Sequence, residues 1–263
     1  LWSRGLGDVY KRQVLEDSAN SVASSLGLGS VTYGPGGGAD ESSQTLTYTI
    51  TTIPTFVTLY KSDGVTQVTE STLGLTIADI RGLMYKTVAN ANGVGSIKWT
   101  VQDTGGKLNG GVDSLKESLS ITVTAVNDAP VRTSGSLTSI SVLEDSANSL
   151  ASSLGLGSVT YSPGGGADES SQTLTYTITT IPTFVTLYKS DGVTQVTEST
   201  LGLTIADIRG LMYKTVANAN GVGSIKWTVQ DTGGKLNGGV DSLKESLSIT
   251  VTAVNDCLLY TSP

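Results

Sequence analysis

The chain has 263 residues, among them 32 Gly, 6 Pro, one Cys and no His, and it carries a net charge of −7. Without His it lacks the usual general base near neutral pH, the commonest zinc ligand and any Ser-His or Cys-His nucleophile pair, so most hydrolase mechanisms lose their central residue. The acidic balance disfavours nucleic acid and anionic membranes and favours cations, and no run of roughly 18 apolar residues is present to span a bilayer.

Both ends read as foreign to the fold. With suitable codons, residues 8–13 (Asp-Val-Tyr-Lys-Arg-Gln) are encoded by a short DNA. Its reverse complement, read one base in, encodes residues 257–262 (Cys-Leu-Leu-Tyr-Thr-Ser). Residues 1–13 and 257–263 therefore resemble a translated transposon-end sequencing adaptor flanking a piece of a longer reading frame. Arg4, Lys11, Arg12 and Asp8 leave with them, so the net charge of the remainder becomes −9. Cys257 leaves too, and no disulfide can staple what remains.

Between the ends lies a tandem repeat. Residues 14–128 recur as 142–256, with only Val22 replaced by Leu150 and Gly34 by Ser162 in 115 aligned positions. Near-identical copies seldom serve catalysis; they suit a chain that needs reach, avidity or number. The expected modules are 14–128, with a truncated first strand, and 129–256. The first copy is expected either to expose a sheet edge or to pair residues from 1–13, because its leader is not that of the second copy, residues 131–141.

In chain order, Glu16-Asp17 follows a strand start, a Gly-rich turn occupies 34–38, and Asp40-Glu41 precedes a run in which Leu46, Tyr48 and Ile50 alternate with threonines. That period of two is a half-buried strand. A Ser-Asp-Gly turn at 62–64 leads to Thr76 and Asp79, a weak capping box opening at most two helical turns over Ile77, Ile80 and Leu83. After Asn92-Gly93, Ile97, Trp99 and Val101 alternate, which makes Trp99 a core residue rather than a sugar platform. Asp103 closes that strand, Gly-rich turns follow at 105–106 and 109–111, and Leu119, Ile121 and Val123 alternate up to Asn127-Asp128. About seven short strands per copy predict an all-β chain of two immunoglobulin- or cadherin-like β-sandwich modules in an elongated array.

Acidic residues gather where strands should end. Carboxylates beside carbonyl-rich turns suit calcium, a hard cation that takes oxygen ligands, and a chain without His or usable Cys has only oxygens to give. Asp63, Glu70 and Asp113 read instead as ordinary solvated turn residues. The 34–38 glycines are no phosphate loop, since neither a following helix nor a Lys accompanies them, and no carboxyl pair is poised for glycosidase work.

The run Thr-Ala-Val-Asn-Asp-Ala-Pro-Val at 124–131, with Val-Leu-Glu-Asp at 142–145, resembles bacterial cadherin-like and VCBS-type tandem repeats and the linker of cadherins. The resemblance implies modules of large secreted or surface adhesins, often exported by type I secretion, with calcium at the joints. It departs from cadherins in having Ala-Asp-Glu-Ser at 39–42 and Thr-Ala-Val before Asn127. If the first strand runs away from the module entrance, the joint would collect Glu16, Asn127, Asp128, Asp168, Glu169 and Asp231. Asp40, Glu41 and Asp103 would form the equivalent set at the entrance of the first copy.

These readings lead to a non-enzymatic extracellular or cell-surface stalk whose partners are neighbouring repeats and a surface polysaccharide or protein. At each joint clustered carboxylates would repel until calcium neutralises them. Each module would add roughly 35 to 45 Å of reach. Two alternatives stay open: a polysaccharide-binding β-sandwich, and accessory domains of a large secreted enzyme.

Overall fold

A computed structural model describes residues 11–18, 22–146 and 150–255. Most of the two ends read as foreign, 1–10 and 257–263, lies outside the described residues. The chain divides into two compact units, 1–126 with 166–168, and 127–165 with 169–263.

In the first unit the strands are β1 (Lys11–Leu15), β2 (Ser24–Ser25), β3 (Leu46–Thr52), β4 (Val57–Tyr60), β5 (Gln67–Val68), β6 (Met84–Thr87), β7 (Gly93–Asp103) and β8 (Ser114–Thr124), with a single-turn helix α1 (Ile77–Arg81) before β6. They form two four-stranded sheets, β1-β8-β7-β3 and β2-β6-β4-β5. Tyr48, Ile50, Ile97, Trp99, Val101, Leu119, Ile121 and Val123 of the first sheet meet Val57, Leu59, Val68 and Tyr85 of the second in one core. Alternation thus supplies one apolar face to each sheet, and the two faces close a β-sandwich as expected. Each large side chain so buried contributes about 1.5–3 kcal/mol. The capping box of Thr76 and Asp79 is formed, and it turns Ile80 into the core.

The pairing of β1 was not foreseeable from periodicity. It runs parallel to β8, with Arg12 opposite Ile121 and Val14 opposite Val123. A parallel neighbour needs a long crossover, and the whole unit between β1 and β8 supplies it. Lys11, Arg12 and Gln13 pair along β8 and continue the ladder of Val14 and Leu15. A backbone ladder asks for no particular side chain, but the core does. Arg12 stands where the second unit has Ile140, and its guanidinium lies 6.0 Å from the centre of the Tyr85 ring.

The second unit contains β9 (Val131–Ser134), β10 (Ile140–Leu143), β11 (Ser152–Ser153), β12 (Thr160–Ser162), β13 (Thr175–Thr180), β14 (Val185–Tyr188), β15 (Gln195–Val196), α2 (Ile205–Arg209), β16 (Met212–Thr215), β17 (Gly221–Gln230) and β18 (Ser242–Thr252). Its sheets β10-β18-β17-β13 and β11-β16-β14-β15 repeat the first unit, and β9 with β12 adds a two-stranded ribbon. The ribbon is antiparallel, with Tyr161 opposite Arg132. Leu137 and Ile140, from the leader, pack against the second core.

Candidate functional site

The chain enters the second unit through residues 127–130, and Asn127 fastens it there. Its side-chain amide donates to Asp231 Oδ1 at 3.0 Å and to the Val240 carbonyl at 2.8 Å, while its Oδ1 accepts from Gln172 at 2.8 Å. The Val240 N–H returns a bond to the Asn127 carbonyl at 2.9 Å. Asp128 donates its backbone N–H to Glu169 Oε1. Two carboxylates are sealed by this arrangement, Glu169 at 1% and Asp231 at 5% exposure. Asp231 Oδ1 also accepts from the Gly233 N–H at 2.9 Å, whereas Asp231 Oδ2 is buried with no hydrogen-bond partner.

Glycines make room for these groups. A Cβ at Gly233 would lie 1.6 Å from Asn127 Oδ1, and one at Gly164 would lie 1.8 Å from Glu169 Oε2. In the first unit Glu41 and Asp103 hold the equivalent positions and are only half-buried, with Asp40 exposed. The four expected ligands Asn127, Asp128, Glu169 and Asp231 are thus gathered at one end of the second unit. Asp168 is exposed and groups with the first unit.

Glu16 marks the other end of the first unit. It follows β1 directly and is 4% exposed. Oε1 accepts from the Val126 N–H at 2.6 Å and Oε2 from the Asn92 amide at 3.0 Å, so the carboxylate ties the end of β1 to the departing chain. Glu144 repeats the clamp with Val254 at 2.7 Å and Asn220 at 3.1 Å. Burial pushes the Glu16 carboxyl above its ordinary 4.5, the bonds from Val126 and Asn92 oppose it, and the charges of Asp168 and Asp17 add to the rise. A raised carboxyl contributes stability that is present below its unfolded value and is lost as pH rises through the folded one. Thermal unfolding should therefore show Glu16→Gln gaining on the parent chain as pH rises from about 4 toward neutrality. A constant difference across that range would contradict the assignment.

The solvated-turn expectation holds for Asp63, whose carboxylate accepts from Val65 and Thr66 and closes the turn. It does not hold for Asp113, which is 7% exposed and paired with Lys107 at 3.6 Å; Asp241 pairs with Lys235 at 3.3 Å in the same way. Gln102 from β7 also donates to the Asp113 carboxylate at 3.4 Å, and Gln230 to Asp241 at 3.3 Å, contacts that the local sequence does not reveal. Glu70 is exposed but not idle, since it accepts from the Ile53 N–H at 2.8 Å. Gln172, Asn92 and the two cradle glycines also escaped sequence reasoning. The one signal was the spacing of Gln172 three residues after Glu169.

Among the described residues, no group of three or more Asp, Glu, His or Cys side chains stands close enough to hold a metal ion. The physical reason is visible in the donors. Glu16, Glu169 Oε1 and Asp231 Oδ1 are turned toward N–H groups. The donor chemistry still fits a hard cation: the groups are oxygens, and the buried Asp231 Oδ2 is without a bond.

A cleft of about 370 Å³ in the first unit and one of about 230 Å³ in the second lie beside Pro54 and Pro182. Neither is lined by an aromatic ring on which a sugar could stack. No helix among the described residues is long and apolar enough to cross a membrane.

No family model matches the chain, and no curated protein matches it. Among solved structures it is similar to Drosophila N-cadherin EC1-4 at 14% identity and a TM-score of 0.37, covering 92% of this chain and 48% of that one. It is similar to mouse protocadherin-24 EC1-3 at 13% identity and a TM-score of 0.35, covering 92% and 68%. For human mucin-like protocadherin EC1-2 the values are 10% and 0.33, covering 94% and 97%. The chain thus spans about half the length of the N-cadherin structure it matches.

Proposed function

We propose that these units are repeats of a large bacterial surface or secreted protein, a non-enzymatic extracellular stalk or adhesin whose module joints are stiffened by calcium. The observation that carries this reading is the end of the second unit. There Asn127 and Asp128 cover Glu169 and Asp231, and one buried carboxylate oxygen has no bond. Near-identical repetition supports it, because number of modules and not a reacting group is what such a chain multiplies. The two ends of the chain, 1–13 and 257–263, are read in the same proposal as adaptor sequence.

In this reading Glu16, Asn127, Asp128, Asp168, Glu169 and Asp231 would hold the ion, which supplies positive charge to neutralise the carboxylates. Asn127 holds the incoming chain against the turn at Val240, and Glu16 holds the departing chain at Val126. These contacts are made by the protein itself, so the ion acts on groups already positioned and the ordering cost at binding is small. Asp231 can offer its unbonded Oδ2 to the cation while Oδ1 keeps the bonds from Asn127 and Gly233.

Calorimetric titration with calcium and small-angle scattering with and without it test the proposal. Saturable binding and a scattering profile that changes on addition are expected. Asp231→Asn should weaken binding about tenfold or more, and Asp128→Ala should weaken it less. No heat together with an unchanged profile would sink the calcium reading.

A further inference from the structure

The two copies differ by two residues in 115 aligned positions, and the leader before the second copy supplies β9 of a ribbon that the first unit lacks among its described residues. In the second unit β9 lies along β12, and hydroxyls lock it there. Thr133 and Thr160 share a hydrogen bond of 2.6 Å, as do Ser134 and Thr160, and Ser134 donates to the Ser158 carbonyl at 3.1 Å. Arg132 places its Nε 3.5 Å from Glu245, which pairs with the core Trp227 across β17 and β18. Covered in this way, Glu245 is 9% exposed.

In the first unit Thr32, Tyr33 and Gly34 stand at the positions of β12, without that cover among the described residues. Residues 32–34 form no strand, and Thr32 and Gly34 are exposed where Thr160 and Ser162 are half-buried. Glu117 stands across from Trp99 in the register Glu245 has with Trp227. Burial pushes its carboxyl upward, and no cation among the described residues offsets this. Lys98 and Lys116 alternate onto the other face of the sheet, as Lys226 and Lys244 do beside Glu245, and so do not face an arginine arriving at Glu117.

We propose that this face of the first unit is a strand acceptor, and that its occupant is an extended segment with the chemistry of β9, Val-Arg-Thr-Ser, whose arginine pairs with Glu117. The second unit shows what the face holds when such a segment is covalently supplied. An edge residue ladder gives affinity, the Arg–Glu pair fixes register, and the hydroxyls of Thr133 and Ser134 select against apolar strands. In a longer array the donor is the leader of the repeat, and any free segment of that chemistry competes with it.

The test uses the full chain and a labelled, end-capped peptide of residues 129–138, followed by fluorescence anisotropy. One peptide should bind per chain and saturate. The peptide carrying Arg132→Ala, and the chain carrying Glu117→Gln, should each bind about tenfold more weakly. Hydrogen exchange should show new protection at residues 32–34 on binding. The peptide variant keeps the test sharp if Glu117→Gln folds poorly. Equal binding of a scrambled peptide of the same composition would overturn the proposal. So would two peptides per chain, no saturation, or indifference to the arginine.

Discussion

Replacing Trp227 by alanine is expected to unfold the second unit while leaving the first intact. Trp227 is among the largest fully buried side chains, and it sits between Ile225 and Val229 in the centre of the second core. Truncating such a ring removes its transfer energy and leaves a cavity, together about 3–5 kcal/mol, which is a large share of the stability of a domain this size. The two cores share no residue. Denaturant unfolding followed by near-ultraviolet circular dichroism should therefore split into two transitions, the earlier one belonging to the altered unit. Trp99→Ala should give the mirror result, with the added loss of the bond from its indole N–H to the Tyr33 hydroxyl, 3.1 Å long. A single transition in either variant would mean that the units do not unfold separately.

Gly135→Ala is the second large effect. Gly135 follows β9 with φ at +80°, and a Cβ there would lie 2.7 Å from both the Cα and the backbone nitrogen of Val159. Backbone cannot swing aside as a side chain can, so the chain after β9 has to lift. The cost is about 2–4 kcal/mol from left-handed strain and overpacking together. Lifting releases the pairings of Thr133 with Thr160 and of Arg132 with Glu245. It also exposes Tyr161, whose hydroxyl is pushed up to about 12 chiefly by burial and then by the charge of Glu245. Ultraviolet titration should find that tyrosine moving back toward 10 in the variant. An unchanged high-pH tyrosine would show that β9 stays in place.

Much of the sandwich was legible in the sequence because its signal is local. Period-two alternation put Tyr48, Ile50, Ile97, Trp99 and Val101 inside, and the capping box at Thr76 and Asp79 formed as read. Alternation says which face a residue takes and nothing about the direction of its neighbour, so the parallel pairing of β1 with β8 was hidden. Of the candidate site, Asn127, Asp128, Glu169 and Asp231 were singled out by the acids at strand ends together with the resemblance of residues 124–131 to a cadherin linker. The seal over them was not, because it depends on Gln172 and Gly164 from one loop and Gly233 and the Val240 carbonyl from another. Asp113 was misread for the same reason: its Lys partner is near in sequence, but its Gln102 donor comes from β7.

The parallel pairing of β1 with β8 has a mechanical consequence. In the first unit the first and last strands lie side by side and point the same way through five residue pairs, and in the second unit β10 and β18 do so through four. Tension applied to the two ends of a unit then drags these strands past each other along their length. Every bond of the ladder is loaded at once, together with the Glu16 clamp on Val126, instead of being peeled open one at a time. A unit built this way yields by shear, at a force set by the whole ladder, and in the second unit the β9–β12 ribbon stands between the incoming chain and that ladder.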